Sequence, residues 1–226
     1  MPYAIAFILI ITLLYSSQWW VKYTLNRYAG SLDHLQGTGG ELARHLLDRF
    51  EMPEVKVEID DRGDHYDPTD KAVRLSTNNF NNKSLTAIAV AAHEVGHAIQ
   101  HNRKEPLLQL RTNLIKVAVI SEKLGSLAFV LMPIVVGITR VPHLSIIMIG
   151  IVILSMFVAV VVHFVTLPVE WDASFGKALP ILEEGYIKDD ELVAVKKVLR
   201  AAALTYVAAS LAGVLNLWRW LALFRR

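Results

Sequence analysis

The sequence predicts a mainly α-helical integral membrane protein with about four transmembrane helices and a small α+β domain. Two observations support this fold class. Of the 226 residues, 54% are hydrophobic and only 19% are charged, whereas soluble domains contain about 45–50% apolar residues even when glycine is counted. The mean hydropathy is +0.39, and the apolar residues are concentrated in long runs rather than spread along the chain. The composition therefore argues against both a disordered chain and an ordinary soluble protein.

The charge balance and the absence of cysteine exclude several classes of protein. The 23 Lys and Arg residues nearly match the 21 Asp and Glu residues, so the formal net charge is only +2. This balance gives no basic surface of the kind that binds nucleic acid. The chain has no cysteine, which excludes a disulfide framework, a cysteine-ligated zinc or iron–sulfur site and a thiol nucleophile. Any bound metal must therefore be held by nitrogen and oxygen atoms.

The first apolar run, residues 2–20, carries no charged side chain. It is long enough to cross a hydrocarbon core of about 30 Å as a helix. Trp19, Trp20 and Tyr23 follow, which is typical of a helix that leaves the bilayer. A cleaved signal peptide is the alternative, but the run lacks a basic start and a small-residue cleavage site. We therefore expect residues 2–20 to be a retained transmembrane anchor.

Two further runs predict a transmembrane helical hairpin over residues 114–167. The run 124–139 extends back toward Leu114 with a helical pattern, and the run 143–167 is the strongest spanning segment. Only a short link separates these two runs, so the helices must be antiparallel. The fourth run, residues 201–224, is interrupted by Arg219; it either spans the membrane or ends in the interface.

Four spans would place residues 21–113 and 168–200 on the same side of the membrane. Most of the basic residues lie in or beside these two stretches, and the opposite side keeps Arg140, Arg219, Arg225 and Arg226. Basic residues near membrane spans favour the cytoplasmic side. The sequence thus predicts a multi-pass protein of the cell membrane whose polar segments, including residues 168–200, face the cytoplasm.

Residues 21–113 form the only sizeable polar block and have the pattern of a small α+β domain. The predicted elements are a capped amphipathic helix at 38–50, a hairpin of short strands at 55–59 and 72–75, and a buried helix at 84–101. Two short strands need a helix to pack on. The last of these helices is apolar on almost every face, which suits a buried position. Ser84 or Asn82 is its expected N-cap.

The buried helix contains the H-E-x-x-H pattern over residues 93–97. Residues four apart lie about 40° from each other around a helix and one turn along it, so His93 and His97 can bind the same zinc ion. Glu94 points away from the metal axis and can act as general base on a zinc-activated water. The pattern is short, but two histidines and a glutamate in an apolar helix are costly unless they have partners.

A catalytic zinc needs a third protein ligand. His101 continues the spacing, but it lies about 12 Å along the helix from His93, so we expect it to cap the helix or support the site. Glu170 is the better candidate, since an acid directly after an apolar span is costly unless it is paired or metal-bound. An ordinary interfacial carboxylate is the alternative. We expect Asp172 to orient a ligand histidine.

Further candidates are identified by side-chain type or by position alone. The residues that can stabilise a developing oxyanion are Tyr66, His65, His101 and His163. His163 lies inside the strongest span, where hydrogen-bonded packing between helices is the alternative. The chain around residues 74–78 is expected to be an edge strand that binds an extended peptide by main-chain pairing.

These motifs resemble the membrane-bound neutral zinc metallopeptidases of bacteria, the YugP-like group. The resemblance covers nearly the whole chain and includes TGGELARHLL (38–47), DHYDP (64–68), AVAAHEVGHAIQH (89–101) and PVEWDAS (168–174). It implies a zincin-like domain with a gluzincin-type site and one zinc ion per chain. The implied ligands are His93, His97 and Glu170, with Glu94 as base. Related membrane gluzincins often carry Glu-x-x-x-Asp at the third ligand, whereas this chain has Ser174 at the matching position.

The resulting prediction is a zinc-dependent endopeptidase of the bacterial inner membrane that cleaves polypeptide substrates beside the lipid bilayer. Two alternatives remain open: a membrane protein that binds or transports metal, and a non-catalytic scaffold that zinc stabilises. A transport path would need ionisable groups in the strongest spans, which have few. A structural zinc site needs no general base, so the presence of Glu94 argues against a scaffold.

Overall fold

The structure is a computed structural model, and it describes residues 2–205. Its longer helices are α1 (Pro2–Arg27), α2 (Gly39–Arg49), α4 (Leu85–Asn102), α5 (Pro106–Thr139) and α6 (Pro142–Trp171). The short helices are α3 (Thr77–Asn81) and α7 (Leu179–Glu183), and a π-helical segment, Asp172–Ala178, lies between α6 and α7. Residues 192–205 form a further helix, α8. The strands are β1 (Lys56–Ile59), β2 (His65–Asp67) and β3 (Ala72–Leu75). The prediction of a mainly helical chain with a small sheet is confirmed.

The described chain forms two compact units. One contains residues 2–105 together with residues 170–205, and the other is Pro106–Val169. The first unit therefore consists of two stretches that are distant in sequence. Its hydrophobic core joins α2, β3 and α4 to residues from α7 and α8, and the largest fully buried side chains include Leu46, Leu75, Leu182 and Leu199.

Helix α2 begins where the sequence predicts. Thr38 is its N-cap: the Thr38 hydroxyl accepts a hydrogen bond from Glu41 N at 3.3 Å, and Thr38 N donates to Glu41 Oε2 at 2.8 Å. This reciprocal pair satisfies two backbone donors that the start of a helix otherwise leaves open. Leu42, Leu46 and Leu47 lie on the buried face. The predicted capped amphipathic helix is therefore confirmed.

The sheet differs from the predicted hairpin, because its strand order is β1-β3-β2. Strand β1 pairs with β3 in parallel, and β2 pairs with β3 in the antiparallel sense. The chain reverses twice, once before and once after β2, so β3 runs in the same direction as β1. Strand β2 is three residues long, which is too short for an alternating pattern to reveal it.

Strand β3 is the central strand, so the prediction of an edge strand around residues 74–78 is wrong. The Arg74 guanidinium donates to Glu58 Oε2 on β1 at 3.2 Å and to Asp67 Oδ2 on β2 at 2.6 Å. These ion pairs tie both neighbours to β3 on one face of the sheet. The open edges of this sheet are those of β1 and β2, and β2 packs beside α4.

Helix α4 is the buried helix that the sequence predicts. Every residue from Leu85 to Gln100 is buried. Of the two expected N-caps, Ser84 is the one used: its hydroxyl accepts a hydrogen bond from Ala87 N at 3.1 Å. The start of α4 is also held by the end of α1, because Thr86 Oγ1 donates to Leu25 O at 2.7 Å.

The second unit contains α5 and most of α6, joined at Arg140 and Val141. Gly125 and Ser155 lie so close together that a Cβ at position 125 would collide with the Ser155 side chain. Most of the described large apolar side chains of this unit are exposed, among them Ile138, Ile146, Phe157 and Phe164. An exposed apolar surface on long helices is expected for segments that contact lipid.

Two helices among the described residues are long and apolar enough to cross a membrane, Pro106–Thr139 and His143–Glu183. The prediction of four spans is therefore supported for two of them. The first predicted span, residues 2–20, lies in the helix α1 but is not one of the two. The last, residues 201–224, begins in α8 and otherwise lies outside the described residues.

Candidate metal centre

Helix α4 presents two histidine rings on one buried face. His93 and His97 are each only 4% exposed. Their ring centroids lie 4.8 Å apart and the rings are nearly perpendicular, at 78°. This arrangement follows from the four-residue spacing on a helix, which puts the second side chain one turn beyond the first.

Glu170 reaches the same point from the end of α6. Its Oε2 atom lies 3.2 Å from His93 Nε2 and 3.1 Å from His97 Nε2, and the residue is fully buried. One ligand atom from each of the three residues lies within 4.8 Å of the other two. The structure thus brings together the three residues that the sequence suggests as ligands.

The geometry of this cluster fits zinc. Two imidazole nitrogens and one carboxylate oxygen are a ligand set that zinc takes in proteins. Two atoms that are each about 2.0–2.1 Å from one zinc ion, at a tetrahedral angle, lie about 3.3 Å from each other. The two distances from Glu170 Oε2, 3.2 and 3.1 Å, are close to this value.

A close helix contact positions Glu170. The π-helical segment that follows Trp171 packs directly on α4. Gly96 makes this possible, because a Cβ at position 96 would lie 2.7 Å from the backbone oxygen of Ala173. The glycine in the H-E-x-x-H pattern therefore allows the backbone of the segment to approach the histidine helix.

Each imidazole has a hydrogen-bond partner at its other ring nitrogen. His93 Nδ1 lies 2.8 Å from Ser174 Oγ, and that hydroxyl donates to Leu199 O at 3.0 Å. His97 Nδ1 lies 2.9 Å from Gln100 Oε1. Neither Gln100 nor Ser174 is among the site residues that the sequence predicts. Their spacings, three residues after His97 and four after Glu170, were the available signs.

Asp172 does not contact a ligand histidine directly, as was expected, but through another side chain. Its Oδ2 atom accepts hydrogen bonds from Gln100 Nε2 and from Lys177 Nζ, both at 2.8 Å. Lys177 in turn pairs with Glu105 at 3.1 Å. Asp172 thus reaches His97 through the amide of Gln100, and the lysine holds the carboxylate in place.

Glu94 and the candidates for oxyanion stabilisation have different surroundings. Glu94 is buried beside His93 on α4, with 6% of its surface exposed. His101 Nδ1 lies 2.7 Å from the Tyr66 hydroxyl, which links the end of α4 to β2. His65 Nδ1 lies 2.8 Å from Gly63 O in the preceding turn. His163 belongs to the second compact unit.

The pKa values of Tyr66 and His101 are shifted by their surroundings. Burial raises the pKa of Tyr66 to about 12. Burial, together with the positive charge of Lys71, lowers the pKa of His101. Both shifts favour the neutral form, so near neutral pH this pair consists of a phenol and an uncharged imidazole.

Comparisons with known proteins point to a family of zinc enzymes. A family described as "Putative neutral zinc metallopeptidase" matches residues 3–225. A protein of Bacillus subtilis (strain 168) named "Putative membrane protease YugP" is 39% identical over 211 residues, which is 92% of this chain and 90% of that protein. No solved structure matches. The match over almost the whole length confirms the resemblance to the YugP-like group, and the chain belongs to this family of neutral zinc metallopeptidases.

Proposed function

We propose that this chain is a membrane-embedded, zinc-dependent endopeptidase. In this proposal His93, His97 and Glu170 hold one zinc ion, and Glu94 is the general base. The observation that carries it is the convergence of three buried ligand atoms, all within 4.8 Å of one another. The family and the similarity to a protein named as a membrane protease support the same activity.

The chemistry divides between the metal and the protein. A bound zinc ion supplies Lewis acidity, which lowers the pKa of a water and polarises a peptide carbonyl. Glu94 accepts the proton of the attacking water and passes it to the leaving amine. His93 and His97 keep their Nε2 atoms directed at the same point as Glu170. Because all three ligands are buried, their charge and dipoles act in a medium of low dielectric constant.

Zinc content and peptidase activity of the full chain in detergent test the two parts of the proposal separately. Glu170→Gln is expected to lose most of its zinc and its activity, because the anionic ligand is removed. Glu94→Gln is expected to keep one zinc per chain and to lose about 10²–10⁴ in rate. Glu122→Gln, which changes an exposed carboxylate of α5, is the matched control and should retain both.

Four results would contradict the proposal. Full activity in Glu94→Gln would exclude Glu94 as the general base. Unchanged zinc content in Glu170→Gln would exclude Glu170 as the third ligand. A wild-type protein that binds zinc, cleaves no peptide and unfolds when a chelator removes the metal would be the zinc-stabilised scaffold. Zinc that is carried across a vesicle membrane without peptide cleavage would instead indicate a transport protein.

We also propose a four-span topology with the metal centre on the cytoplasmic side of the bacterial inner membrane. The basic residues beside the apolar runs support this orientation. The two candidate spans, Pro106–Thr139 and His143–Glu183, support the central hairpin. A site at this place would reach polypeptide segments that lie in the cytoplasm or at the membrane surface.

A further inference from the structure

The side chain of Ser174 connects a metal-site histidine to a distant helix. Ser174 lies in the π-helical segment and is fully buried. Its hydroxyl is 2.8 Å from His93 Nδ1 and donates to Leu199 O, on α8, at 3.0 Å. The two contacts place the serine between one ligand and the backbone of α8.

The chemistry of these groups fixes where the protons lie. A carbonyl oxygen can only accept a hydrogen bond, and a serine hydroxyl has a single proton. The Ser174 proton is therefore committed to Leu199 O, which leaves a lone pair of Oγ facing His93 Nδ1. The contact at 2.8 Å is a hydrogen bond only if Nδ1 carries the proton and donates it. The remaining ring nitrogen, Nε2, then has its lone pair free on the side of Glu170 and His97.

We propose that Ser174 is a positioning residue that holds His93 in the Nδ1–H tautomer and aims its Nε2 lone pair at the metal position. The proposal rests on the zinc site of the proposed function and extends it to a residue four positions after Glu170. Leu199 O is essential to this role, because it accepts a hydrogen bond from the hydroxyl and so keeps the hydroxyl proton directed away from the ring. The serine performs this task without adding a charge to a centre where Glu170 is already a buried acid.

Ser174 and Glu170 lie four residues apart, and both contact the ring of His93. Glu170 Oε2 lies 3.2 Å from His93 Nε2, and Ser174 Oγ lies 2.8 Å from His93 Nδ1. The same stretch of helix therefore contacts both nitrogens of one ring, at its two opposite sides. Any shift of this segment would change the ligand and the orienting contact together.

Metal affinity and a spectroscopic signature test the proposal in the full chain in detergent. Ser174→Ala removes the acceptor and is expected to weaken zinc binding about 10- to 100-fold. Its cobalt(II)-substituted form is expected to show visible absorption bands that differ from those of the wild type, since the ring is no longer held. Ser84→Ala is the matched control: it removes an equally buried hydroxyl from the N-cap of α4. This control should lower the thermal midpoint but keep the zinc affinity and the cobalt spectrum.

Wild-type zinc affinity and an unchanged cobalt spectrum in Ser174→Ala would overturn the proposal. If that variant does not fold, the wild-type protein provides the test. In zinc-loaded protein with ¹⁵N-labelled histidine, the resonance that disappears in His93→Gln should show a proton on Nδ1 and the metal on Nε2. The opposite tautomer would overturn the proposal.

The outcome for Ser174 can be separated from that for the proposed function. A protein that binds zinc but cleaves no peptide would refute the endopeptidase, and the affinity and tautomer measurements would still decide the role of Ser174. A wild-type protein with no affinity for zinc would overturn both.

Discussion

The two candidate ligand histidines are supported by groups of different kinds. His93 contacts a neutral hydroxyl that is anchored on a backbone carbonyl. His97 contacts the Gln100 amide, which donates to the Asp172 carboxylate at 2.8 Å. Because that carboxylate can only accept, the amide nitrogen must face it, and the amide oxygen must face the His97 ring. Both rings are thus held with Nδ1 as the donor.

The Gln100 support predicts a loss of metal affinity. Gln100→Ala removes the acceptor for His97 Nδ1 and is expected to weaken zinc binding about 10- to 100-fold. Asn102→Ala, which removes an exposed amide near the end of the same helix, is the control and should keep the wild-type affinity. Competition with a chromophoric chelator measures both constants. Equal affinities in the two variants would show that Gln100 does not position the ring.

The pair of Tyr66 and His101 predicts a pH dependence of stability. The pKa of His101 in the folded protein lies below its usual value of 6.5, because of burial and of the nearby Lys71. The unfolded chain therefore binds the proton more readily. The stabilising contribution is complete above about pH 6.5 and is lost as the pH falls toward the folded pKa.

Thermal midpoints measured between about pH 7.5 and 5 test this sign. His101→Asn is expected to show a shallower decline with falling pH than the wild type. Tyr66→Phe is the control, since it loses a hydrogen bond worth about 1 kcal/mol but keeps the imidazole and hence the pH dependence. Tyr66 itself does not titrate in this range, because its pKa is about 12. An unchanged decline in His101→Asn would contradict the assignment.

Single residues differ in how far sequence reasoning could identify them. His93, Glu94 and His97 belong to a pattern whose helical spacing has a direct geometric meaning. Glu170 could be suggested because an acid beside an apolar span needs a partner. Gln100 and Ser174 had only their spacing from His97 and Glu170 as a sign, because amides and hydroxyls are common in helices and only the packed structure shows which ring each one contacts.

At the scale of elements, the contact between α4 and the π-helical segment builds the site. An alanine is favoured over a glycine in a helix interior by roughly 0.5–1 kcal/mol. At position 96 this preference is outweighed, because the added Cβ would lie 2.7 Å from Ala173 O, a backbone atom that cannot rotate away. The stretch of chain from Glu170 to Ser174 would have to move.

Gly96→Ala is therefore expected to reduce zinc binding and to lower the thermal midpoint. Gly137→Ala is the matched control, since it makes the same change in α5, where a Cβ would have no neighbour within 4 Å. The control should be neutral or slightly stabilising. Zinc titration and thermal unfolding of both variants are the measurements. A Gly96→Ala protein that equals the control in both would show that the close approach is not required.

The helices and strands that have a clear local sequence pattern could be predicted. Helix α2 has a capping box and an apolar face, and α4 has an N-cap followed by a long apolar stretch, so both could be located. Strand β2 and the parallel pairing of β1 with β3 could not. Their arrangement places Arg74 between Glu58 on β1 and Asp67 on β2, and no local pattern in the sequence indicates which strands these side chains bring together. The π-helical segment has no comparable sequence pattern, because its conformation goes with its packing on α4.

At the scale of the whole molecule, the candidate site restricts the topology. His97 and Glu170 lie 3.1 Å apart at their ligand atoms, so both must be on the same side of a membrane. The chain between them must then cross the bilayer an even number of times. Two candidate spans occur in this interval, Pro106–Thr139 and the helix that begins at His143. The even number of crossings does not depend on the distribution of basic residues, which indicates only the side of the membrane on which the site lies.

The absence of cysteine makes this topology directly testable by labelling. Ser31→Cys and Asp190→Cys each place a thiol at an exposed position of the unit that contains the metal centre, and Val141→Cys places one between α5 and α6. In intact cells, a membrane-impermeant thiol reagent is expected to label position 141 and to spare positions 31 and 190. All three should react after the cells are lysed, which is the control for accessibility. The reverse pattern would place the site outside the cytoplasm, whereas labelling of only one of positions 31 and 190 would break the even count and, with it, the assembly of the metal centre from α4 and Glu170.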